Sequence, residues 1–464
     1  MINFVPIVLC RLFNDIGAEQ GKAMEFYYIN PETKTLSGLP VSPAFTSFFM
    51  SEYFKNRPSK CKSECTSPDS VTLCPDNKQS LYCHLLCGLC QRDEVVRVGA
   101  TFAFSLVQAI DFLGNYWKEL CSNIRSGHVS EWITDLNCRR SVSIILGGPN
   151  PELAYLIEQE CSHESWEGII TRLWPKARFL EAIFTGQMAQ YIPILEFYSN
   201  KLPQISTIYG SSESLFGVNM DPLSNPQDVS YTFLPNLSYF EFLPVDHEGD
   251  TGSIVDLVDV KLGCYYEPLV TNSFGLNRYR IGDILQVTGF YNSTPQFRFV
   301  RRKNIVLSVD IETTTEEDLL KALTRATLVL DKYSDFMLMG FTCYADISTF
   351  PGHYVFFWEI KSRGGKDVGE LDEKVLVKCC TVLEESFDVL YRRFRSRDGI
   401  IGALEIRVVQ QGTFDSLMEY FISQGGSTVQ YKTPICINSP EALAVLENKV
   451  VARFYSDKSP PLDT

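Results

Sequence analysis

The consecutive segments ARFLEAIFTG (177–186), QMAQYIPILEFYSNK (187–201) and LPQISTIYG (202–210) decide the fold class. The first reads as a strand, the second as a helix and the third as a strand again. Strand, helix, strand in that order is the unit from which parallel sheets are built. The segments upstream carry the same alternation. VRVGATFAFSLVQAIDFLGNYWKEL (96–120) has apolar residues at helical spacing. SVSIILGG (141–148) is a β-rich apolar run closed by two glycines and reads as a strand. PNPELAYLIEQEC (149–161) opens a helix, with Asn150 as its cap and Pro151 in its first turn. The large part of the chain is α/β.

Downstream the texture changes. From about 226 to 300, runs such as SYTFLPNLSYFEFLPVD, GSIVDLVDV, RYRIGDILQVTGFY and QFRFVRR are separated by Gly, Asn and Pro turns. They predict a mainly antiparallel section. A boundary falls near 301–312, which divides the chain into a large domain (1–305) and a smaller α+β domain (306–464). The small domain begins with a helix in TTTEEDLLKALTRATLVLDKY (313–333), where Thr315 is followed three residues later by Asp318. Strands GHYVFFWEI (352–360) and ALEIRVV (403–409) bracket the helix VLVKCCTVLEESFDVLYRRF (375–394).

Composition bounds the function. The chain has 464 residues, 45% hydrophobic and 21% charged, with a net charge of −14 at pH 7. Such a surface repels phosphate backbones and anionic lipids, which argues against nucleic-acid and membrane partners. MINFVPIVLCRLFNDIG (1–17) has no basic n-region and no small-residue cleavage site, and no run has the length of a membrane span. Fifteen cysteines, an odd number, in a chain large enough to hold its own core point to a cytoplasmic protein with reduced thiols.

Several candidate sites compete with blander readings. Cys61, Cys65, Cys74, Cys83, His84, Cys87 and Cys90 suggest zinc, but paired C-x-x-C knuckles are missing. Cys83, Cys87 and Cys90 share a helical face with leucines, where thiols pack as small hydrophobes. GSSES (210–214) lacks the final glycine of a nucleophile elbow, and none of His84, His128, His163, His247 and His353 stands beside it as a base. Its small residues suit close approach to phosphate, and its carboxylate suits a Mg²⁺–phosphate complex. The bland alternative is a polar connection before a helix. Ser362–Lys366 only imitates a phosphate loop, and Arg301, Arg302 and Lys303 read as a hinge or strand edge. YRIGD (279–283) places an aspartate after a glycine at a strand end, where it can accept from two vicinal ribose hydroxyls.

Taken together, YGSSESLFGVNMDPL (209–223), SYTFLPNLSYFEFLP (230–244), RYRIGDILQVTGF (278–290), PQFRFVRRKN (295–304) and QGTFDSLMEYFISQGGSTVQYKTP (411–434) resemble the plant auxin-responsive acyl acid amido synthetases, the Gretchen Hagen family. SLYCHLLCGLCQRDEVVR (80–97) and ELCSNIRSGHVSEWITDL (119–136) resemble its benzoate-type branch more than the indole-acetate or jasmonate branches. The resemblance implies a luciferase-like acyl-adenylating fold: a large α/β domain with a β-barrel-like part, incomplete at its N-terminus, and a mobile C-terminal lid. It implies ATP and Mg²⁺ as cofactors, and a small carboxylic acid and an amino acid as substrates joined through an acyl-adenylate.

Site residues follow by the same resemblance. Glu213 would hold Mg²⁺, Ser211 and Ser212 would line the phosphates, and Tyr209 would lie with them at the nucleotide. Tyr231 would contact adenine and Asp283 the ribose. Lys432 would swing in with the lid as a mobile cation. Leu106, Ile208, Gly210 and Leu215 would line the acyl pocket; indole-acetate members carry Ala and Tyr in place of Gly210 and Leu215.

The chain also departs from the family pattern. The family's SSGTS-type phosphate loop lies before the point where this chain begins, and its acid-clamping arginine falls near Ile7, with Arg11 the nearest substitute. Thr313 stands where a lysine is usual, and Ile435 where an arginine is usual. Losing anion-stabilising donors weakens adenylation, so a second reading is a truncated, non-catalytic chain that binds acid, nucleotide or a partner.

Overall fold

The computed structural model describes residues 21–30, 33–58, 64–246, 249–250, 252–303, 305–364, 372–426 and 431–462. Ile7, Arg11, Cys61, His247 and Lys366 lie outside the described residues. The chain divides into two compact units, residues 1–281 with 285–299, and residues 282–284 with 300–464.

The first unit contains a parallel sheet in the order β1 (Lys22–Phe26), β2 (Val95–Phe102), β3 (Phe179–Ile183) and β4 (Gln204–Ile205). Helix α1 (Asn77–Cys90) connects β1 to β2, and α2 (Ala103–Ser126), α3 (Leu136–Leu146) and α4 (Pro151–Cys161) lie between β2 and β3. Helix α5 (Ile192–Ser199) connects β3 to β4, so residues 177–205 form the expected strand–helix–strand unit.

Two stretches differ from their sequence reading. Residues 96–120 are not all helical: β2 occupies the start, and the helix begins directly after Phe102. An inner parallel strand is buried on both faces, so its apolar run does not alternate and merges with the helical pattern that follows. SVSIILGG is not a strand but the second half of α3. The Asp135 carboxylate accepts from the Cys138 N–H at one end, and Gly147, at φ 68°, closes the other. Cys138, Val142 and Leu146 then form one buried stripe four residues apart, while Ile144 is exposed. The caps and the stripe outweigh β-branching.

An antiparallel sheet follows, in the order β8 (Tyr239–Asp246), β9 (Tyr265–Thr271), β10 (Asp283–Tyr291), β11 (Thr294–Arg302), β7 (Ser230–Phe233), β6 (Leu215–Asn219) and β5 (Ile208–Gly210). Among the described residues it does not close into a barrel, which corrects the barrel-like expectation. Its buried face is aromatic, with Phe216, Tyr231, Phe233, Phe240, Phe242 and Phe297 in one cluster.

In the second unit, α6 (Glu316–Tyr333) precedes a sheet in the order β12 (Phe336–Asp346), β13 (His353–Ser362), β14 (Glu405–Val409) and β15 (Val450–Tyr455). The Thr315 hydroxyl and the Asp318 carboxylate cap α6 reciprocally, as their spacing predicts. The pleat of β13 sorts the core: Tyr354, Phe356, Trp358 and Ile360 pack with α6 and α7 (Glu373–Ser386). Val355 and Phe357 pack on the opposite face with α8 (Thr413–Ser423) and α9 (Pro440–Glu447).

No described helix is long and apolar enough to cross a membrane. The described cysteines are free thiols, and no group of three or more His, Cys, Asp or Glu among the described residues is placed to hold a metal ion. His84 is buried, with Ser67 Oγ at 2.8 Å from Nδ1 and the Tyr27 carbonyl at 3.0 Å from Nε2. Burial pushes its imidazole down to about 4.

Candidate active site

The GSSES segment is the turn of a β-hairpin rather than a connection to a helix. Strands β5 and β6 pair antiparallel with Ile208 opposite Val218, Tyr209 opposite Gly217 and Gly210 opposite Leu215. The Ser211 N–H donates to the Ser214 carbonyl at 2.9 Å, and Asn272 Nδ2 donates to the Glu213 carbonyl at 2.9 Å. These bonds hold the turn while leaving Ser211 and Ser212 exposed and Glu213 half-buried. Hydroxyls and a carboxylate on a fixed turn suit a hydrated phosphate, without any help from a helix dipole.

The pairing brings Ile208, Gly210 and Leu215 together. A Cβ on Gly210 would lie 3.3 Å from Leu215 Cδ1, so even alanine would press on Leu215. Leu106 stands apart in sequence on α2 and is only 1% exposed. Tyr209, on β5 of the hairpin, and Tyr231, on β7, have ring centroids 5.6 Å apart. Tyr231 is buried with its hydroxyl toward Thr185 and Ser206, and burial pushes that hydroxyl up to about 12. Its ring is part of the aromatic core and packs against that of Tyr209.

Asp283 and Lys432 belong to the second unit. Gly282 has φ 77°, a conformation that other residues rarely adopt, and it turns the chain into β10 so that Asp283 points inward. The Arg302 guanidinium meets the Asp283 carboxylate at 2.9 Å, and the Arg302 N–H donates to Glu316 Oε2 at 3.2 Å. Burial, with Asp283 adding to it, raises the Glu316 carboxyl pKa. Lys432 is exposed, yet desolvation and then the Arg302 cation lower its ammonium pKa against the opposing pull of Asp283 and Glu316. Its exposure keeps that shift modest, because solvent screens the charges.

Sequence reasoning therefore missed Arg302 and Glu316, which complete a four-charge cluster with Asp283 and Lys432. The triplet Arg301-Arg302-Lys303 was visible but reads as a strand edge, since only folding brings residues 283, 302, 316 and 432 together. Thr313 is exposed, and Ile435 is packed in the small-unit core at 3% exposure.

Three family models match the chain: the GH3 family N-terminal domain over residues 7–204, the central domain over 231–302 and the C-terminal domain over 317–441. The chain is 60% identical to 4-substituted benzoates-glutamate ligase GH3.12 of Arabidopsis thaliana, across 95% of this chain and 77% of that one. It is 53% identical to indole-3-acetic acid-amido synthetase GH3.17 of the same plant, across 96% and 76%. The solved GH3.15 acyl acid amido synthetase superposes with a TM-score of 0.90 at 49% identity, covering 98% of this chain and 81% of that one.

Proposed function

This chain belongs to the GH3 family, and from that premise we propose that it is an ATP-dependent acid–amino acid ligase acting on a benzoate-type acid. The observation that carries the reading is the 60% identity to a benzoates-glutamate ligase, against 53% to an indole-acetate enzyme. The matched relatives are ligases, so the reading as a non-catalytic binder is not favoured.

In the proposed reaction the acid's carboxylate oxygen attacks the α-phosphorus of ATP, the bond to the β-phosphate breaks, and pyrophosphate leaves. The amino acid's amine then attacks the acyl carbon, AMP leaves, and the amine's proton passes to solvent. Charge grows on phosphoryl oxygens in the first step, so fixed donors and cations there lower the barrier. Ser211 and Ser212 would donate to phosphate oxygens, and Asp283 would accept from the ribose hydroxyls. Lys432 would offer its ammonium to the α-phosphate or the acid carboxylate. Glu213 is the carboxylate on the hairpin turn that would hold Mg²⁺, which supplies charge neutralisation when bound.

The test is acid-dependent ATP–pyrophosphate exchange with Mg²⁺ and a panel of benzoates, indole-acetate and jasmonate. We expect exchange with a benzoate, reduced about a hundredfold or more in Asp283→Ala. Folded protein that exchanges with no acid would overturn the reading.

A further inference from the structure

Strand β12 is an edge strand, and its free edge carries one parallel bridge to the segment that bears Lys432. The Cys343 N–H donates to the Ile435 carbonyl at 2.8 Å, and the Ile437 N–H donates to the Cys343 carbonyl at 2.9 Å. That pattern makes Cys343 and Cys436 direct neighbours across the bridge. Adjacent strands lie about 4.7–4.9 Å apart, within the Cα separation a disulfide spans. The Cys343 thiol donates to the Ile435 carbonyl at 3.0 Å and the Cys436 thiol to Asn438 Oδ1 at 3.7 Å. Cys343 is fully buried, whereas Cys436 is only partly so and can meet a reagent from solvent.

Other thiols are clustered, but differently. Cys74, Cys83 and Cys138 are neighbours, yet all three are at most 1% exposed. Only a pair with one accessible member offers an attacking and a resolving thiol.

We propose that Cys343 and Cys436 are a reversible redox pair whose disulfide fastens residues 431–437 to β12 and restrains Lys432. The restraint matters for activity only if the ligase reading holds; the disulfide does not depend on it. The neighbouring Cys343 thiol lowers the Cys436 pKa, while burial keeps Cys343 protonated. With hydrogen peroxide as oxidant, the Cys436 thiolate attacks one peroxide oxygen, the O–O bond breaks, and hydroxide leaves to be protonated to water. The Cys343 thiol then attacks the sulfenic sulfur; the S–S bond forms, the S–O bond breaks, and a second water leaves with the thiol proton. Two thiols and one peroxide become one disulfide and two waters. A dithiol reverses the change by exchange.

The experiment oxidises the reduced 464-residue chain with hydrogen peroxide, then digests it with trypsin without reductant. The expected product links peptide 333–361 to peptide 433–449, each with one cysteine, and dithiothreitol releases it. In the oxidised protein the amides of 431–437 exchange hydrogen at least tenfold more slowly. Pyrophosphate exchange falls at least tenfold and is restored by dithiothreitol. Cys436→Ser shows none of these responses to peroxide. Linkage of another pair instead, or sulfinic acid at Cys436, overturns the proposal. A linked protein with unchanged amide or pyrophosphate exchange overturns the restraint on Lys432. If the reduced protein exchanges no pyrophosphate, the ligase reading fails, and the peptide and amide measurements still decide the redox pair.

Discussion

Asp283 is 3% exposed and ion-paired with Arg302, so a ribose would meet a carboxylate already oriented and partly neutralised. Removing the carboxylate leaves Arg302 beside Lys432 without its counter-ion. Asp283→Ala should therefore lower the Lys432 pKa further, besides weakening nucleotide binding. In the proposed reaction Lys432 would act in its charged form, which is lost as pH rises through its pKa. Because that pKa is lowered, the alkaline limb of the exchange rate should fall below the ordinary lysine range. Lys432→Arg should keep adenylation and move the limb upward, and Lys432→Met should lose about a hundredfold at every pH. A pH–rate series on the three proteins checks both statements. The aspartate was legible at residue scale, because Gly-Asp at a strand end has a recognisable chemistry. Its partner Arg302 was not, because the pair is closed by a turn and a β-ladder rather than by spacing.

Helix α3 shows what caps decide at the scale of an element. Asp135→Ala removes the acceptor for the Cys138 N–H and should cost about 1 kcal/mol, read as a lower urea midpoint. Strand β14 gives the second test. Glu405 is fully buried in the small unit, and burial alone would raise its pKa. His353 Nε2 at 3.2 Å, the Arg407 guanidinium and the Tyr455 hydroxyl at 2.9 Å outweigh that and hold the carboxyl near 2. The stability Glu405 contributes is thus full above the unfolded pKa, about 4.5, and is lost as pH falls toward 2. A shift of that size corresponds to about 3 kcal/mol. Urea titrations at pH 7 and pH 3 should show a steeper acid loss for the native chain than for Glu405→Gln. A strand as short as ALEIRVV is legible from its apolar run; the ion network on it is not, since its members come from three separate strands.

For the whole molecule, the net charge of −14 predicts no retention by duplex DNA or by anionic vesicles at 0.15 M salt, measured by co-sedimentation. The sequence by itself determined the α/β class, the parallel unit at 177–205, the antiparallel section and the capped helix at Thr315. Each rests on local periodicity or on a cap a few residues long. Its long ordered motifs also determined the family, because residues such as GSSES and YRIGD stand in sequence whether or not the chain is folded. The tertiary structure decided that 141–146 is helical, that the described antiparallel strands do not close into a barrel, and that GSSES turns a hairpin. It also decided which charges surround Asp283 and Lys432, and that Cys343 faces Cys436. The physical reason is range: caps and periods act within a few residues, whereas strand partners, ion pairs and thiol neighbours are chosen by packing between segments tens to hundreds of residues apart.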